Sequence, residues 1–503
     1  MADKSSKKVP YGGTAWQSAK VYGKYFFWGP FFKMFEAIFE LITPFLIARI
    51  VTDGIIYDAQ ANPVGADWMR IGIYTAIILA MAVFGFSSTI VCQYLASKAS
   101  QGTGTDLRNR LFAHTQTLAP ADIERFGIGN AINVITNDTN TFQQGVAMLI
   151  RLAVRAPFLV LGALICSFII DWKAGLLFLA LALFLFAFLM LVLPRTSKGY
   201  VKVQSRLDEL SQKTNDSLAG ARVVKAFDRE SLEVRKFEAD STAYRDDSMR
   251  IATITSLLGP VTTFLVNLAM IMLILFSSLG LGFQTSGDAA TLSQQNGNII
   301  ALVNYLNQIL QAVLVVTNLI IIFTRFISAN ARINSLLAVE PSLKDAPKIP
   351  PTAIVTGDPL FELNRAVLAY PGSSLPALAD MTLTIHKGDR IGIIGGTGSG
   401  KSSFLYLLLR FYDRTRGAVD YKGHDIEDYS LQALYREIGY VPQRPAVFRG
   451  TIRSNLLMAN PSASEADMRD ALRLALCDYV LADPQGLDRP IDEDAKDLSG
   501  GQR

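Results

Sequence analysis

A glycine-rich stretch at residues 395–402 has the residue types and spacing of a phosphate-binding loop. It reads Gly-Gly-Thr-Gly-Ser-Gly-Lys-Ser and fits the pattern G-x-x-x-x-G-K-[ST] at every fixed position. Such glycines let backbone N–H groups turn inward around phosphate oxygens, while Lys401 adds a positive charge and the Ser402 hydroxyl can bind Mg²⁺. The stretch therefore predicts a site for a nucleoside triphosphate. The residues predicted to contact it here are Gly395, Thr397, Gly398, Ser399, Gly400, Lys401, Ser402 and Ser403.

The residues around this loop indicate the elements that position it. The apolar run 391–394 predicts a strand entering the loop, and residues 403–411 predict a helix leaving it. Further short apolar runs at 367–369, 381–385 and 417–423 alternate with turn residues. This alternation is typical of an α/β nucleotide-binding domain.

The composition of the whole chain indicates a membrane protein. Half of the 503 residues are hydrophobic, and the mean hydropathy is +0.27, which is too apolar for an ordinary soluble enzyme. The formal net charge of +4 gives no support for nucleic-acid binding. The three cysteines are isolated in the sequence, so we expect neither a disulfide framework nor a metal cluster.

Six apolar stretches are long enough to cross a bilayer. They are 25–51, 69–96, 146–170, 173–194, 254–283 and 298–327. Lys and Arg are frequent near the N-terminus and in the connections 97–145 and 195–250, whereas 52–68 and 284–298 contain neither. Because cytoplasmic loops carry the excess of Lys and Arg, we expect both termini in the cytoplasm, in a multi-pass protein of the plasma (inner) membrane. The two long cytoplasmic connections have few Gly or Pro breaks and are predicted to be helical.

The first of these spans contains the ionisable residues Lys33, Glu36, Glu40 and Arg49. The first three share one helix face and can partly neutralise one another. Either this face lines a water-accessible path, or it forms an interior ion-pair patch with some side chains reaching the membrane surface. The sequence leaves both readings open.

A Pro-rich polar segment follows the sixth span and marks a domain boundary. We predict a transmembrane domain at 1–338, a linker at 339–359 and the N-terminal part of a nucleotide-binding domain at 360–503.

A second motif lies at residues 498–503, which read Leu-Ser-Gly-Gly-Gln-Arg. A Ser followed by two glycines offers a hydroxyl and unobstructed N–H donors to a γ-phosphate, best at a helix start. With the six spans and the phosphate loop, this motif makes the whole chain resemble a half-transporter of the ATP-binding cassette exporter family. The resemblance implies an all-α six-helix transmembrane domain fused to an incomplete α/β P-loop NTPase domain.

The resemblance also implies a second half-transporter as partner. In the family, the signature motif of one chain faces the phosphate loop of the other, so two domains enclose two ATP molecules. The corresponding nucleotide contacts here are Ser499, Gly500, Gly501 and Gln502. The partner is either identical or different, with a heterodimer slightly favoured.

Two further residues acquire roles from the resemblance. Tyr370 precedes Pro371-Gly372 where the family has an aromatic residue that stacks on adenine; otherwise it is an exposed tyrosine at a strand end. Gln443 matches the family glutamine that contacts Mg²⁺ and the attacking water. The expected catalytic residues are thus Lys401 and Gln443, and the expected Mg²⁺ ligands are Ser402 and Gln443.

The cytoplasmic connections resemble the family's coupling segments at residues 218–227 and around 111–117. Two departures concern the ATP-binding part: Ser403 stands where the family usually has Thr, and Asp494 and Ala495 replace usual basic and glycine residues before the signature. The family's catalytic Glu and switch His would follow Arg503. We therefore expect these 503 residues to be part of a longer protein and to be inactive alone.

The resemblance predicts an ATPase coupled to transport, which exports hydrophobic or amphipathic substrates such as drugs or lipids across the bilayer. The alternatives are a peptide exporter, or an ATP-gated channel or regulatory subunit on the same scaffold. No nucleic-acid partner is expected.

Overall fold

The computed structural model describes residues 14–57, 63–278, 289–343, 359–443, 446–492, 495, 498, 499 and 501–503. The predicted nucleotide contact Gly500, the substituted Asp494 and most of the predicted linker lie outside these residues. The chain divides into two compact units, Met1–Ser342 and Leu343–Arg503.

The first unit is built from helices, with one short hairpin of β1 (Ile55–Tyr57) and β2 (Pro63–Ala66). The helices are α1 (Ala15–Lys20), α2 (Gly23–Gly54), α3 (Trp68–Thr115), α4 (Pro120–Phe126), α5 (Ile128–Asn133), α6 (Thr139–Arg151), α7 (Arg155–Ile170), α8 (Trp172–Ala219), α9 (Ala221–Ala226), α10 (Glu230–Ser256), α11 (Leu258–Ser278) and α12 (Ala289–Leu337).

Five helical stretches in the described part of this unit are long and apolar enough to cross a membrane. They are Trp68–Thr115, Ile128–Ile170, Trp172–Ala219, Glu230–Leu275 and Gln294–Leu337. These stretches contain the second, third, fourth and sixth predicted spans, and the fifth as far as Leu275. The first predicted span lies in α2, which contains several ionisable residues and is not among these five stretches. The total of six spans therefore stays a prediction.

The charged residues of α2 are paired within the helix bundle. Lys33, only 6% exposed, forms an ion pair with Glu36. Arg155, at the start of α7, lies 2.5 Å from a Glu40 oxygen and 3.7 Å from Glu36. The predicted ion-pair patch is therefore present. Its pairs offset the cost of placing charged groups inside the helix bundle. A water-accessible path along the same face stays a prediction.

The long helices α3, α8 and α10 continue into both predicted cytoplasmic connections, which are helical as expected. The second connection contains the short helix α9 at the predicted coupling segment. In the first connection, the predicted segment around 111–117 lies mostly within α3, where Leu111 is fully buried. The separate short helix there is α4, whose first residue, Pro120, suits a helix start because its missing N–H needs no partner.

Long-range polar contacts join α12 to the rest of the first unit. Near one end, the Tyr305 hydroxyl donates to the carbonyl oxygen of Leu41 in α2 at 2.7 Å. Near the other, Arg332 makes two hydrogen bonds, of 2.8 and 2.5 Å, to the buried carboxylate of Asp138. Asp138 ends a π-helical turn, Val134–Asp138, that links α5 to α6. The first contact joins α12 to α2, and the second joins the C-terminal part of α12 to the turn before α6.

The second unit contains a small sheet and short helices. Its strands are β3 (Phe361–Leu368), β4 (Leu378–Ile385), β5 (Arg416–Tyr421), β6 (His424–Asp425), β7 (Gly450–Thr451) and β8 (Pro490–Ile491), and its helices are α13 (Lys401–Leu408), α14 (Leu431–Glu437), α15 (Ile452–Ala459), α16 (Glu465–Leu474) and α17 (Asp478–Leu481). The larger sheet has the antiparallel order β4-β3-β5-β6, and β7 pairs with β8.

Three of the predicted strand runs fall on β3, β4 and β5, whereas the predicted strand at 391–394 is wrong. These residues form no strand, and Ile391, Ile393 and Ile394 are all exposed. A strand requires a hydrogen-bonded neighbour, and residues 391–394 pair with none of the described strands. The core of the larger sheet instead covers α13 and α14, through residues such as Phe404, Leu407 and Leu434.

Candidate functional site

The phosphate loop at 395–402 is an exposed turn that leads directly into α13. Gly398 and Gly400 have φ angles of +84° and +89°, which favour glycine. A Cβ on Gly400 would also lie 2.8 Å from the carbonyl oxygen of Ala377, at the edge of β4. The loop can therefore reach the helix in this conformation only with glycine at these positions.

The Lys401 ammonium group is held over the loop by the backbone. Its Nζ donates to the carbonyl oxygens of Gly395 at 2.7 Å and Gly396 at 2.6 Å, and lies 3.3 Å from Ser399 Oγ. Lys401 is also the first residue of α13, whose amino end attracts anions. The charge, the helix end and the glycine backbone thus converge at one place, as phosphate binding requires.

The structure brings Tyr370 and Ser403 together beside this loop. The Tyr370 hydroxyl donates to Ser403 Oγ at 2.8 Å. The Tyr370 ring contacts Tyr412 edge to face, with ring centroids 4.8 Å apart. Ser403 is 8% exposed, so its hydroxyl faces the tyrosine rather than solvent. The two residues predicted separately as nucleotide contacts therefore form one hydrogen-bonded pair.

The far end of α13 is fixed by Arg410, a residue that belongs to no sequence motif. Arg410, 2% exposed, donates to Asp413 Oδ1 at 2.9 Å and to the carbonyl oxygens of Glu427 at 3.3 Å and Tyr429 at 3.1 Å. A guanidinium group can supply several donors in one plane, which suits three acceptors from separate segments. Nothing in the sequence pattern distinguishes this arginine from a surface one.

An ion pair lies between the α13–β5 connection and β6. Arg414 makes two hydrogen bonds, of 2.7 and 2.6 Å, to the Asp425 carboxylate. Burial acts to raise the pKa of Asp425, but the hydrogen bonds from Arg414 and from the Glu427 backbone N–H outweigh it and lower that pKa. The same hydrogen bonding raises the pKa of Arg414. The pair therefore stabilises this corner of the sheet while Asp425 is ionised.

The signature motif has the hydrogen bonds of a helix start. The Ser499 backbone N–H donates to Gln502 Oε1 at 2.9 Å, and the Gln502 backbone N–H lies 3.3 Å from Ser499 Oγ. This reciprocal pair is a capping box, and the Ser-x-x-Gln spacing was a sequence signal for it. Tyr479 also donates to the Gln502 carbonyl oxygen at 2.7 Å. The Ser499 hydroxyl oxygen thus accepts from the Gln502 backbone N–H.

Neither the signature motif nor Gln443 has a hydrogen bond to the phosphate loop among the described residues. Within the described residues, the hydrogen bonds of Ser499, Gln502 and Arg503 all stay within 479–503 and do not reach the phosphate loop. Gln443 lies in an exposed bend, and its side chain has no hydrogen bond to another described residue. Its amide oxygen and the exposed Ser402 hydroxyl are the kind of neutral oxygen that Mg²⁺ accepts beside nucleotide phosphates. Residues 395–403 thus have the conformation and charge that suit ATP phosphates. Ser402 and Gln443 have side-chain oxygens of the kind that binds Mg²⁺.

Two family models match the chain. The one described as the ABC transporter transmembrane region matches residues 26–313, and the one described as ABC transporter matches residues 378–503. The second region contains the phosphate loop and the signature motif, and its match indicates ATP binding.

Several known proteins are similar over nearly the whole chain. An uncharacterised ABC transporter ATP-binding protein of Mycobacterium tuberculosis is 33% identical over 479 residues, which cover 94% of this chain and 78% of that protein. Another from Bacillus subtilis is 29% identical, covering 93% and 78%. An ATP-dependent lipid A-core flippase of Yersinia pestis is 26% identical, covering 91% and 76%.

A solved structure has the same fold. The structure of a bacterial Atm1-family ABC exporter with ATP bound superposes with a TM-score of 0.74 at 21% identity, covering 94% of this chain and 81% of that one. The predicted fold class, a helical transmembrane domain fused to a P-loop NTPase domain, is confirmed. The chain belongs to the ABC transporter family, as a multi-pass membrane half-transporter of the exporter type whose ATP-binding region is an ATPase coupled to transport.

Proposed function

We propose that this half-transporter exports hydrophobic or amphipathic molecules, drugs or lipids, across the membrane in which it resides. The observation that carries the proposal is the combination, in one chain, of a formed phosphate loop at 395–402 and five described helical stretches able to cross a bilayer. The cargo class is supported by the similarity to a lipid A-core flippase, whose name states a lipid substrate for that protein.

Each part of the chain has a proposed role. Residues 1–338 form the transmembrane domain with six spans, 339–359 the linker and 360–503 the ATP-binding part. The Lys and Arg distribution supports cytoplasmic termini and a plasma (inner) membrane location. The short helix α9 couples ATP turnover to the membrane helices.

In the proposed mechanism, the phosphate loop binds the phosphates of ATP through backbone N–H groups while Lys401 exchanges the carbonyl oxygens of Gly395 and Gly396 for phosphate oxygens. Tyr370 stacks on the adenine, held in place by Ser403. Ser402 and Gln443 would hold Mg²⁺, which would neutralise phosphate charge. Ser499, Gly500, Gly501 and Gln502 donate to the nucleotide of a partner half-transporter.

Binding of ATP between the two partners favours one arrangement of the membrane helices, and hydrolysis removes that preference. A near-complete switch requires ATP to favour the closed pair by about 5.5 kcal/mol. The proposal therefore requires a dimer, formed with an identical or a different chain.

The cargo class is tested by ATP turnover of the full-length protein in proteoliposomes. Amphipathic dyes and lipids should stimulate turnover and accumulate in an ATP-dependent way, whereas a hydrophilic peptide should do neither. Stimulation by the peptide alone would contradict the cargo class. An ATP-dependent ion current without accumulation of any solute would instead indicate a channel.

A further inference from the structure

A polar cavity of about 340 Å³ lies among α3, α6 and α12 of the first unit. Nine residues line it, of which the polar ones are Ser97, Ser100, Gln101, Gln143, Gln144 and Arg151. This volume is within the range of small-molecule sites. Most of the lining offers hydrogen-bond donors, from three amides, two hydroxyls and one guanidinium group.

Arg151 is the only charged residue among the nine that line the cavity. Its Nη2 donates to Ser97 Oγ at 2.9 Å, and its Nε is buried without a hydrogen-bond partner in the described part of the chain. No carboxylate there lies within ion-pair distance of Arg151. Arg155, four residues further on at the start of α7, is paired with Glu40, whereas Arg151 has no ion pair with a described residue.

Gln143, which lines the cavity, has its amide oxygen engaged by a neighbouring arginine. Its Oε1 lies 3.3 Å from Arg108 Nη2, which also bonds to Asn140 at 2.5 Å. The Gln143 side chain occupies the space beside Gly104, where a Cβ would be 2.2 Å from its Oε1. With the carbonyl oxygen held by Arg108, the NH₂ group is left as the donor. Gln143 therefore adds to the preference of the cavity for acceptor ligands.

The cavity lies where the polar part of an amphiphile would be. Its residues on α3 directly follow the second predicted span, which ends at residue 96, and those on α6 flank the start of the third at 146. In the proposed topology this is the cytoplasmic edge of the bilayer. Ala147, Met148 and Ile322 add an apolar side to the cavity. The site thus combines a cationic, donor-rich part with an apolar one.

We propose that this cavity binds the phosphate group of an anionic amphiphile, with Arg151 as its principal ligand. The inference rests on the proposed export of amphipathic molecules and specifies the polar group of the cargo. A guanidinium group binds phosphate through two parallel N–H bonds. The two terminal nitrogens of Arg151, Nη1 and Nη2, can supply such a pair, with one Nη2 hydrogen given to Ser97. The Gln143 amide and the Ser100 hydroxyl supply further donors.

The test measures binding to the full-length protein in detergent by calorimetry. The probes are dioctanoyl phosphatidic acid, dioctanoylglycerol, which lacks the phosphate, and inorganic phosphate. Arg151→Gln should weaken phosphatidic acid binding by about tenfold or more, because a charge-assisted hydrogen bond is lost, and should leave dioctanoylglycerol unchanged. The matched control is Arg195→Gln, at an exposed arginine just beyond the fourth predicted span, which should change the affinity for neither probe.

Three further outcomes of this experiment support or overturn the proposal. Should Arg151→Gln fail to fold, as a lowered melting temperature would show, Gln143→Leu should still weaken phosphatidic acid binding several-fold. Inorganic phosphate that competes as well as phosphatidic acid would identify free phosphate as the ligand and support the same chemistry. Equal affinity of wild type and Arg151→Gln for phosphatidic acid would overturn the proposal.

Failure of this inference is separable from failure of the proposed function. ATP-dependent transport of a neutral amphipathic dye, abolished by Lys401→Ala, would uphold export even if Arg151→Gln bound phosphatidic acid normally. Absence of any ATP-dependent transport would reject export, whereas the binding measurement would still report on the cavity.

Discussion

The hydroxyl group of Tyr370 donates a hydrogen bond to Ser403 Oγ at 2.8 Å, although the two residues are 33 positions apart. Tyr370 follows β3, and Ser403 lies in the first turn of α13, directly after the phosphate loop. The bond connects the residue expected at the adenine ring to the element that binds the phosphates. In the proposed binding mode, this one contact positions both the adenine end and the phosphate end of the nucleotide site.

This contact predicts a graded loss of nucleotide affinity. Tyr370→Phe keeps the ring but loses a neutral hydrogen bond worth about 1 kcal/mol, so ATP should bind about fivefold more weakly. Tyr370→Ala should weaken ATP binding further, because stacking on a base contributes about 1–3 kcal/mol. Titration with a fluorescent ATP analogue measures both. Tyr435→Phe, whose hydroxyl is 3.5 Å from its acceptor, is the control, and an equal loss there would refute the assignment.

The Arg332–Asp138 ion pair predicts unequal effects of its two partners. Asp138 is 3% exposed, whereas the Arg332 side chain is half exposed. Arg332→Met should lower stability by about 1.5–3 kcal/mol, because it leaves a buried carboxylate unpaired. Asp138→Asn should lower stability by less than Arg332→Met, since the released guanidinium group can reach water. Melting temperatures of the detergent-solubilised protein measure the difference, and the reverse order would show that the carboxylate is not buried.

The Arg414–Asp425 pair predicts a pH dependence of local stability. The folded state lowers the pKa of Asp425, so its stabilisation is complete above the ordinary Asp value of about 3.9 and is lost as the pH falls through the lower folded value. The effect should stay below about 1 kcal/mol, because the pair is partly exposed. As the pH is lowered, the β5 and β6 amides should therefore lose less protection from hydrogen exchange in Asp425→Asn than in wild type. Asp428→Asn, at an exposed neighbouring position, should retain the wild-type dependence.

The proposed head-to-tail dimer predicts complementation between defective chains. Lys401→Ala removes a phosphate contact and Ser499→Arg blocks the signature, so a dimer of either variant alone should have little ATPase activity. If the two chains are identical in the native dimer, a purified mixed dimer has one intact site and should recover about half of the wild-type activity, since its two sites are symmetry-related. Activity no higher than in the single variants would indicate that the signature does not act on the partner chain.

Local patterns predicted much of this protein, and contacts between distant residues account for the rest. The loop at 395–402 follows from its own glycines and Lys401, and the spans follow from continuous apolar stretches. The strand expected at 391–394 did not form, because strand formation depends on a neighbour and not on the run itself.

Pairings across the fold could not be derived from local spacing. Arg155 neutralises Glu40 across 115 residues, and Arg332 pairs with Asp138 across 194. The nucleotide contact of Gln502 stays a prediction, and the fold gives its side chain another role, because Gln502 Oε1 accepts from the Ser499 backbone N–H. In that case the Ser-x-x-Gln spacing contained the signal, since it is the pattern of a capping box.

The most direct test of the account is ATP-dependent transport by the full-length protein in which Lys401 is replaced by Ala. Lys401 supplies the positive charge at the phosphate loop, so ATP hydrolysis and the accumulation of an amphipathic dye in proteoliposomes should both fall by about 100-fold or more. Lys387→Ala, at another lysine of the ATP-binding region, should retain wild-type rates. Unchanged ATP-dependent transport in Lys401→Ala would contradict the claim that this loop powers export.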